Sequence, residues 1–138
     1  QFAVASDEVL IVTIPEPTAI TDGYALIKAV SKEKRSGRIR LLVNQCVDAA
    51  EAHRVVDRIQ TVSKRFLGID VEPLGYVLTD PKVGQAVRQR APFVLHHPRC
   101  VASRCLVRIA ERILDERSSA SNPGFFRRFA NAIHGVLG

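Results

Sequence analysis

The sequence predicts an α/β protein built on a parallel sheet with flanking helices. Three observations carry that reading. Short, apolar, largely β-branched runs recur at residues 9–12 (VLIV), 39–43 (IRLLV) and 74–78 (LGYVL). Each is followed by a segment whose apolar residues return at helical spacing, and turn or cap residues separate the two kinds of segment. Strand, helix, strand in strict alternation calls for right-handed crossovers and a parallel sheet of the doubly wound kind.

The first run, Val9 to Val12, is stopped by Pro15 and reads as a strand buried on both faces. Ile20, Tyr24, Ile27 and Val30 then fall at helical spacing, with Thr18 expected as the N-cap and Asp22 near the positive end of the helix. Lys32 to Arg38 form a basic turn near Gly37, and the second strand ends at Asn44. Asp48 and Glu51 make a capping-box-like pair. Behind it, Ala52, Val55, Val56, Ile59, Val62 and Phe66 trace one apolar face until Gly68. The third strand meets Asp80 and Pro81. A short helix through Val83 and Val87 follows, and Pro98 opens a longer one with Val101, Ala102, Cys105, Ile109 and Ile113 facing inward.

Composition bounds the rest. The 138 residues are enough for one ordinary domain, and 46% hydrophobic with 25% charged residues is a globular balance. A formal charge of +6 favours an anionic partner, whether nucleic acid, nucleotide or acidic lipid. Cys46, Cys100 and Cys105 form no CxxC pair, and their odd number suits reduced thiols. No run is long and apolar enough for a membrane span. The chain starts at Gln1 and contains no Met, which predicts a processed product or part of something longer. Residues 118–122 read as a small-polar linker between a body, 1–117, and a tail, 123–138.

In open parallel sheets ligands sit beyond the carboxyl ends of the strands. Those ends carry Glu16-Pro17-Thr18, Asn44-Gln45 and Thr79-Asp80-Pro81. An Asn there offers both a donor and an acceptor to a purine edge, and is equally at home satisfying local backbone in a turn. The chain contains no glycine-rich phosphate loop. His96, His97 and Cys100 include an H-x-x-C spacing but lack a second ligand pair, and Cys46 with His53 reads as a semi-buried thiol at a strand end and an exposed helix His rather than a catalytic pair. Lys32, Lys34, Arg35, Arg38 and Arg40 could touch DNA, or form a solvated charged face. In the tail, Phe125, Phe126, Phe129, Ile133, Val136 and Leu137 share one helical face, with Arg127 and Arg128 mostly opposite. That pattern suits a helix lying in a membrane interface or one docked on the body.

The stretches "ASDEVLIVTIPEPTAITDGYALIK", "LLVNQ", "LGYVLTDPKVGQAVRQRAPFVL" and "PRCVASRCLVRIA" resemble the C-terminal half of the MinD/ParA class of deviant Walker ATPases, most closely its flagellar-number regulators of the FlhG/FleN type. The resemblance implies a P-loop NTPase half-domain without the lysine-rich phosphate loop. It implies Asn44 on the adenine base, Asp80 and Pro81 lining base and ribose, and Glu16, Thr18 and Asp22 near a dimer and partner face. It assigns the tail, including Phe125, Phe126, Arg127, Arg128, Phe129, Ile133, Val136 and Leu137, to membrane targeting. The function so implied is control of flagellar number or placement through ATP-dependent dimerisation, at the cytoplasmic face of the cell membrane. ATP and Mg are then cofactors of the complete protein, with none expected for this chain alone, which the missing loop predicts to be inactive. A homo-oligomer, flagellar assembly proteins and an activator are the implied partners. The alternatives are a non-enzymatic interaction module and a ParA-like partitioning protein that binds DNA non-specifically.

Overall fold

A computed structural model describes residues 8–33 and 37–120, the last three of these by their backbone alone. The order is β1 (Glu8–Thr13), α1 (Pro17–Ser31), β2 (Arg38–Cys46), α2 (Ala49–Leu67), β3 (Glu72–Leu78), α3 (Pro81–Arg88), α4 (Phe93–His96) and α5 (Val101–Ala120). The three strands pair in parallel in the order β1-β2-β3. Where the sequence predicts one domain, the chain divides into two compact units, with the break between Thr79 and Asp80.

The first unit is the sheet with α1 and α2. Because the strands step in one direction across the sheet, right-handed crossovers lay both helices on the same face. The core between them gathers Ile11 and Ile27, Ile39, Leu41 and Val43 of the central strand, and Ala52, Val55 and Ile59 of α2. Full burial of each Ile, Leu or Val in it contributes about 1.5–3 kcal/mol. β2 is buried along most of its length. β1 is not, and here the structure corrects the sequence reading: Ile11 and Thr13 are buried, whereas Leu10 and Val12 are 44% and 52% exposed. α1 covers only one face of this edge strand, so strand periodicity alternates inside and outside.

Three further expectations change at the helices. Glu16, not Thr18, occupies the N-cap of α1, because Pro17 takes the first helical position, where its missing N–H costs nothing. On α2 the inward stripe runs Ala52, Val55, Ile59 and Ser63, with Leu67 packed against the core, while Phe66 is 67% exposed under the Arg65 guanidinium. Steps of four residues let the stripe drift as the helix crosses a twisted sheet, which carries the last turn past Phe66. The basic run also splits: Arg40 is 1% exposed and paired with Glu8 at 3.2 Å, and Arg38 pairs with Glu72. Lys34 and Arg35 lie outside the described residues.

The second unit comprises α3, the one-turn α4, which the sequence reading did not include, and α5. Ala86, Ala102, Ser103 and Ile109 are buried, whereas Val101, expected inside, is 38% exposed and Val87 67%. α5 runs to Ala120, so residues 118–120 of the expected linker are helical. The remainder of the linker and the whole tail, from Phe125 to Leu137, lie outside the described residues.

Candidate functional site

Asn44 stands at the carboxyl end of β2, in a local break of the sheet. Val43 pairs with Tyr76 and Cys46 with Leu78, and the register shifts between them. Gln45, inside the break, has φ 57°. A non-Gly residue in the left-handed region is uncommon, and bulges of this kind re-aim side chains at sheet rims. The Asn44 side-chain oxygen Oδ1 accepts the Gln45 N–H at 2.9 Å, which holds the side-chain amide against the turn it belongs to. Its NH2 group makes no hydrogen bond among the described residues, and the side chain is half-buried. Asn44 thus serves the local backbone with its oxygen, while its two N–H donors are unengaged among the described residues.

Cys46 closes the break. It is fully buried, its thiol lies 3.6 Å from the Val43 carbonyl, and its own carbonyl accepts the Thr79 N–H at 2.8 Å. His53 meets the Tyr76 ring edge-on at 6.3 Å between centroids. A sealed thiol of this kind has no access to substrate.

Asp80 opens the second unit. One of its carboxylate oxygens accepts the Lys82 N–H at 2.9 Å and so caps α3. The other accepts the Ala102 N–H at 3.2 Å, in the first turn of α5. The bond from the Lys82 amide, supported by those from Ala102, the Cys100 side chain and Val101, holds the Asp80 carboxyl below its ordinary value against a smaller opposing effect of burial. Pro81 is exposed at the first position of α3. The Asp80 side chain therefore shapes its loop, with both oxygens engaged by backbone. Beside it, Cys100 lies 3.2 Å from the Ser103 hydroxyl, which donates to the His97 carbonyl at 2.8 Å. Among the described residues no three His, Cys, Asp or Glu side chains gather as a metal site.

Glu16, Thr18 and Asp22 are all exposed at the start of α1, and Thr18, Asp22 and Leu26 succeed one another at four-residue steps. Leu26 is 55% exposed, an apolar member of that stripe that helical spacing alone did not single out. An open groove of about 680 Å3 lined by Gln60, Lys64, Ile69 and Glu72 lies elsewhere in the first unit. It sits where α2 ends and β3 begins, at the opposite end of the parallel strands from Asn44, and Lys64 there is already paired with Asp70 at 2.7 Å.

Two residues of this description were not legible beforehand. Nothing in the letters of Gln45 signals a left-handed backbone, and the bond from Ala102 to Asp80 spans 22 positions. The neighbouring TDP triplet did signal a helix start, since Asp followed by Pro is an N-cap with its first residue.

No family model matches the chain. Curated relatives do. The antiactivator FleN of Pseudomonas aeruginosa is 32% identical over 122 residues, which are 88% of this chain and 43% of FleN. The flagellum site-determining protein YlxH of Helicobacter pylori is 36% identical over 90 residues, 64% of this chain and 30% of YlxH. The crystal structure of the cell division ATPase MinD of Pyrococcus furiosus superposes with a TM-score of 0.61 over 80% of this chain and 43% of that one, at 20% identity, a likeness of fold. The chain spans less than half the length of the curated relatives it matches. The parallel three-stranded sheet shares the MinD-like P-loop NTPase fold, and sequence identity places the chain with two flagellar regulators: the chain is homologous to FleN and YlxH over less than half of their length.

Proposed function

We propose that this chain is the base-binding half of a MinD-type ATPase that sets flagellar number or placement. The observation that best supports it is Asn44, whose free amide donors stand at a strand end beside a backbone held at positive φ. Those donors suit the ring nitrogens of adenine. In the second unit the Asp80 carboxylate fixes the starts of α3 and α5. Nothing among these residues suits phosphate or Mg, because the chain has no glycine-rich loop. ATP would bring a triphosphate whose hydrolysis needs a phosphate loop from outside these residues. Here Asn44 orients the base, and Thr18, Asp22 and Leu26 offer a face to a second subunit or an activator.

In the complete protein, ATP-dependent dimerisation would place two tails on one cytoplasmic membrane surface, and avidity would make membrane residence follow nucleotide state. Among the described residues no helix is long and apolar enough to cross a membrane. The test is nucleotide titration of the full-length protein. Asn44→Ala should weaken ATP binding roughly ten-fold, the worth of one or two hydrogen bonds, with an unchanged melting transition; unaltered affinity would refute the base assignment. Replacing Phe125, Phe126 and Phe129 by Ser should release the protein from liposomes.

A further inference from the structure

The chain's positive charge is not spread evenly. Residues 81–110 contain Lys82, Arg88, Arg90, Arg99, Arg104 and Arg108 and no carboxylate at all. The first unit, residues 1–79, holds ten Lys and Arg against ten Asp and Glu. The second unit therefore carries an excess equal to the +6 of the whole chain. The six cations of residues 81–110 are all exposed, and none of these six is in an ion pair among the described residues.

Their setting is specific. On α5, Val101, Arg104 and Arg108 succeed one another on the solvent stripe, at steps of three and four. Like charges one turn apart with no acid between them destabilise a helix, so folding alone does not favour the arrangement. Large apolar side chains of the same unit are exposed as well: Val87 at 67%, next to Arg88 in sequence, Leu95 at 58%, and Val101 at 38%, one turn before Arg104 on α5.

We propose that this α3–α5 surface docks on an anionic lipid bilayer, arginines at the headgroups and Val87, Leu95 and Val101 against the acyl boundary. Interleaved cations and exposed aliphatics are what an acidic lipid interface recognises. A nucleic-acid surface would need the charge and not the apolar side chains, and single strands would want exposed aromatics for stacking. The proposal rests on the functional reading above only in taking a membrane as partner. It uses different residues from the tail.

The experiment is co-sedimentation of the full chain with phosphatidylcholine vesicles, with and without phosphatidylglycerol, across a salt series. Binding to neutral vesicles reports apolar insertion, and with Arg127 and Arg128 of the tail replaced by Gln in every protein compared, the gain on adding phosphatidylglycerol reports the basic surface. Replacing Arg90, Arg99, Arg104 and Arg108 together by Gln should remove most of that gain, roughly a hundred-fold in affinity. The same four changed to Lys should retain it, and both variants should melt as the parent does. A Gln variant that keeps the phosphatidylglycerol gain overturns the proposal. So does duplex DNA that strips the chain from the vesicles at equal phosphate concentration. A Phe125, Phe126 and Phe129 to Ser variant that binds neutral vesicles normally refutes the tail reading and leaves this surface standing.

Discussion

Asp80 and Ala102 are joined across 22 residues by a single hydrogen bond, from the Ala102 N–H to a carboxylate oxygen at 3.2 Å. The other oxygen of Asp80 caps the helix that begins with the next residue. One side chain thus fixes the starts of two helices, α3 and α5, and stands near the positive ends of both. Among the described residues the second unit has few large buried side chains, so this polar joint carries more of its order than a cap usually does.

Replacing Asp80 by Ala should destabilise the protein by about 1–2 kcal/mol, one lost cap together with an amide left without its partner. The pH dependence follows from the sign of the shift. The folded carboxyl ionises below its ordinary 3.8, so its contribution is fully present above that value and is lost as pH falls through the lower, folded one. Melting transitions followed by circular dichroism from neutral pH to below pH 3.8 should therefore converge for the parent and Asp80→Ala at the acid end. A constant gap across the series would mean that the carboxylate charge is immaterial.

The start of α2 offers a second test. Asp48 accepts the Glu51 N–H at 2.7 Å, and Glu51 reaches back to the Val47 N–H at 2.8 Å. The return bond lands one residue before the N-cap, so it ties the strand-end segment as well as the helix. Asp48→Ala should cost about 1 kcal/mol, and the double variant with Glu51→Ala should cost less than the two singles combined. Urea midpoints of the four proteins measure the coupling. Strict additivity would show that the two bonds act independently.

That reciprocal cap was readable because its signature is local: an acceptor residue, a Glu three positions on, and an apolar run behind. The same holds for the strands and for Gly68. Legibility failed where geometry depends on distant chain. Leu10 and Val12 carry the letters of a doubly buried strand, and only the one-sided cover by α1 makes them exposed. Arg40 reads as part of a solvated basic run until its pairing with Glu8, 32 residues earlier, becomes visible. At the candidate site, Asn44 could be picked out by its place at a strand end. The register shift beside it could not, since the shift belongs to the pairing of two strands.

Two glycines separate backbone need from spatial need. Gly68 ends α2 at φ 69°, with nothing within 4 Å of where a Cβ would stand. Ala there meets no atom, and still should cost about 1 kcal/mol because the left-handed conformation disfavours any Cβ. Gly23 is the opposite case. It is buried in the middle of α1 with ordinary helical backbone, and an added Cβ would lie 3.6 Å from Thr13 Oγ1, 3.7 Å from Thr13 Cβ and 3.8 Å from Ile59 Cδ1. Those are ordinary contact distances, so the methyl fills space between α1, β1 and α2 without displacing them. Gly23→Ala should stabilise the protein by about 0.5–1 kcal/mol through helix propensity and a less disordered unfolded chain. The two variants should thus move the urea midpoint in opposite directions. If Gly23→Ala lowers it as Gly68→Ala does, α1 approaches the sheet more closely than these contacts allow, and Gly23 is there for packing.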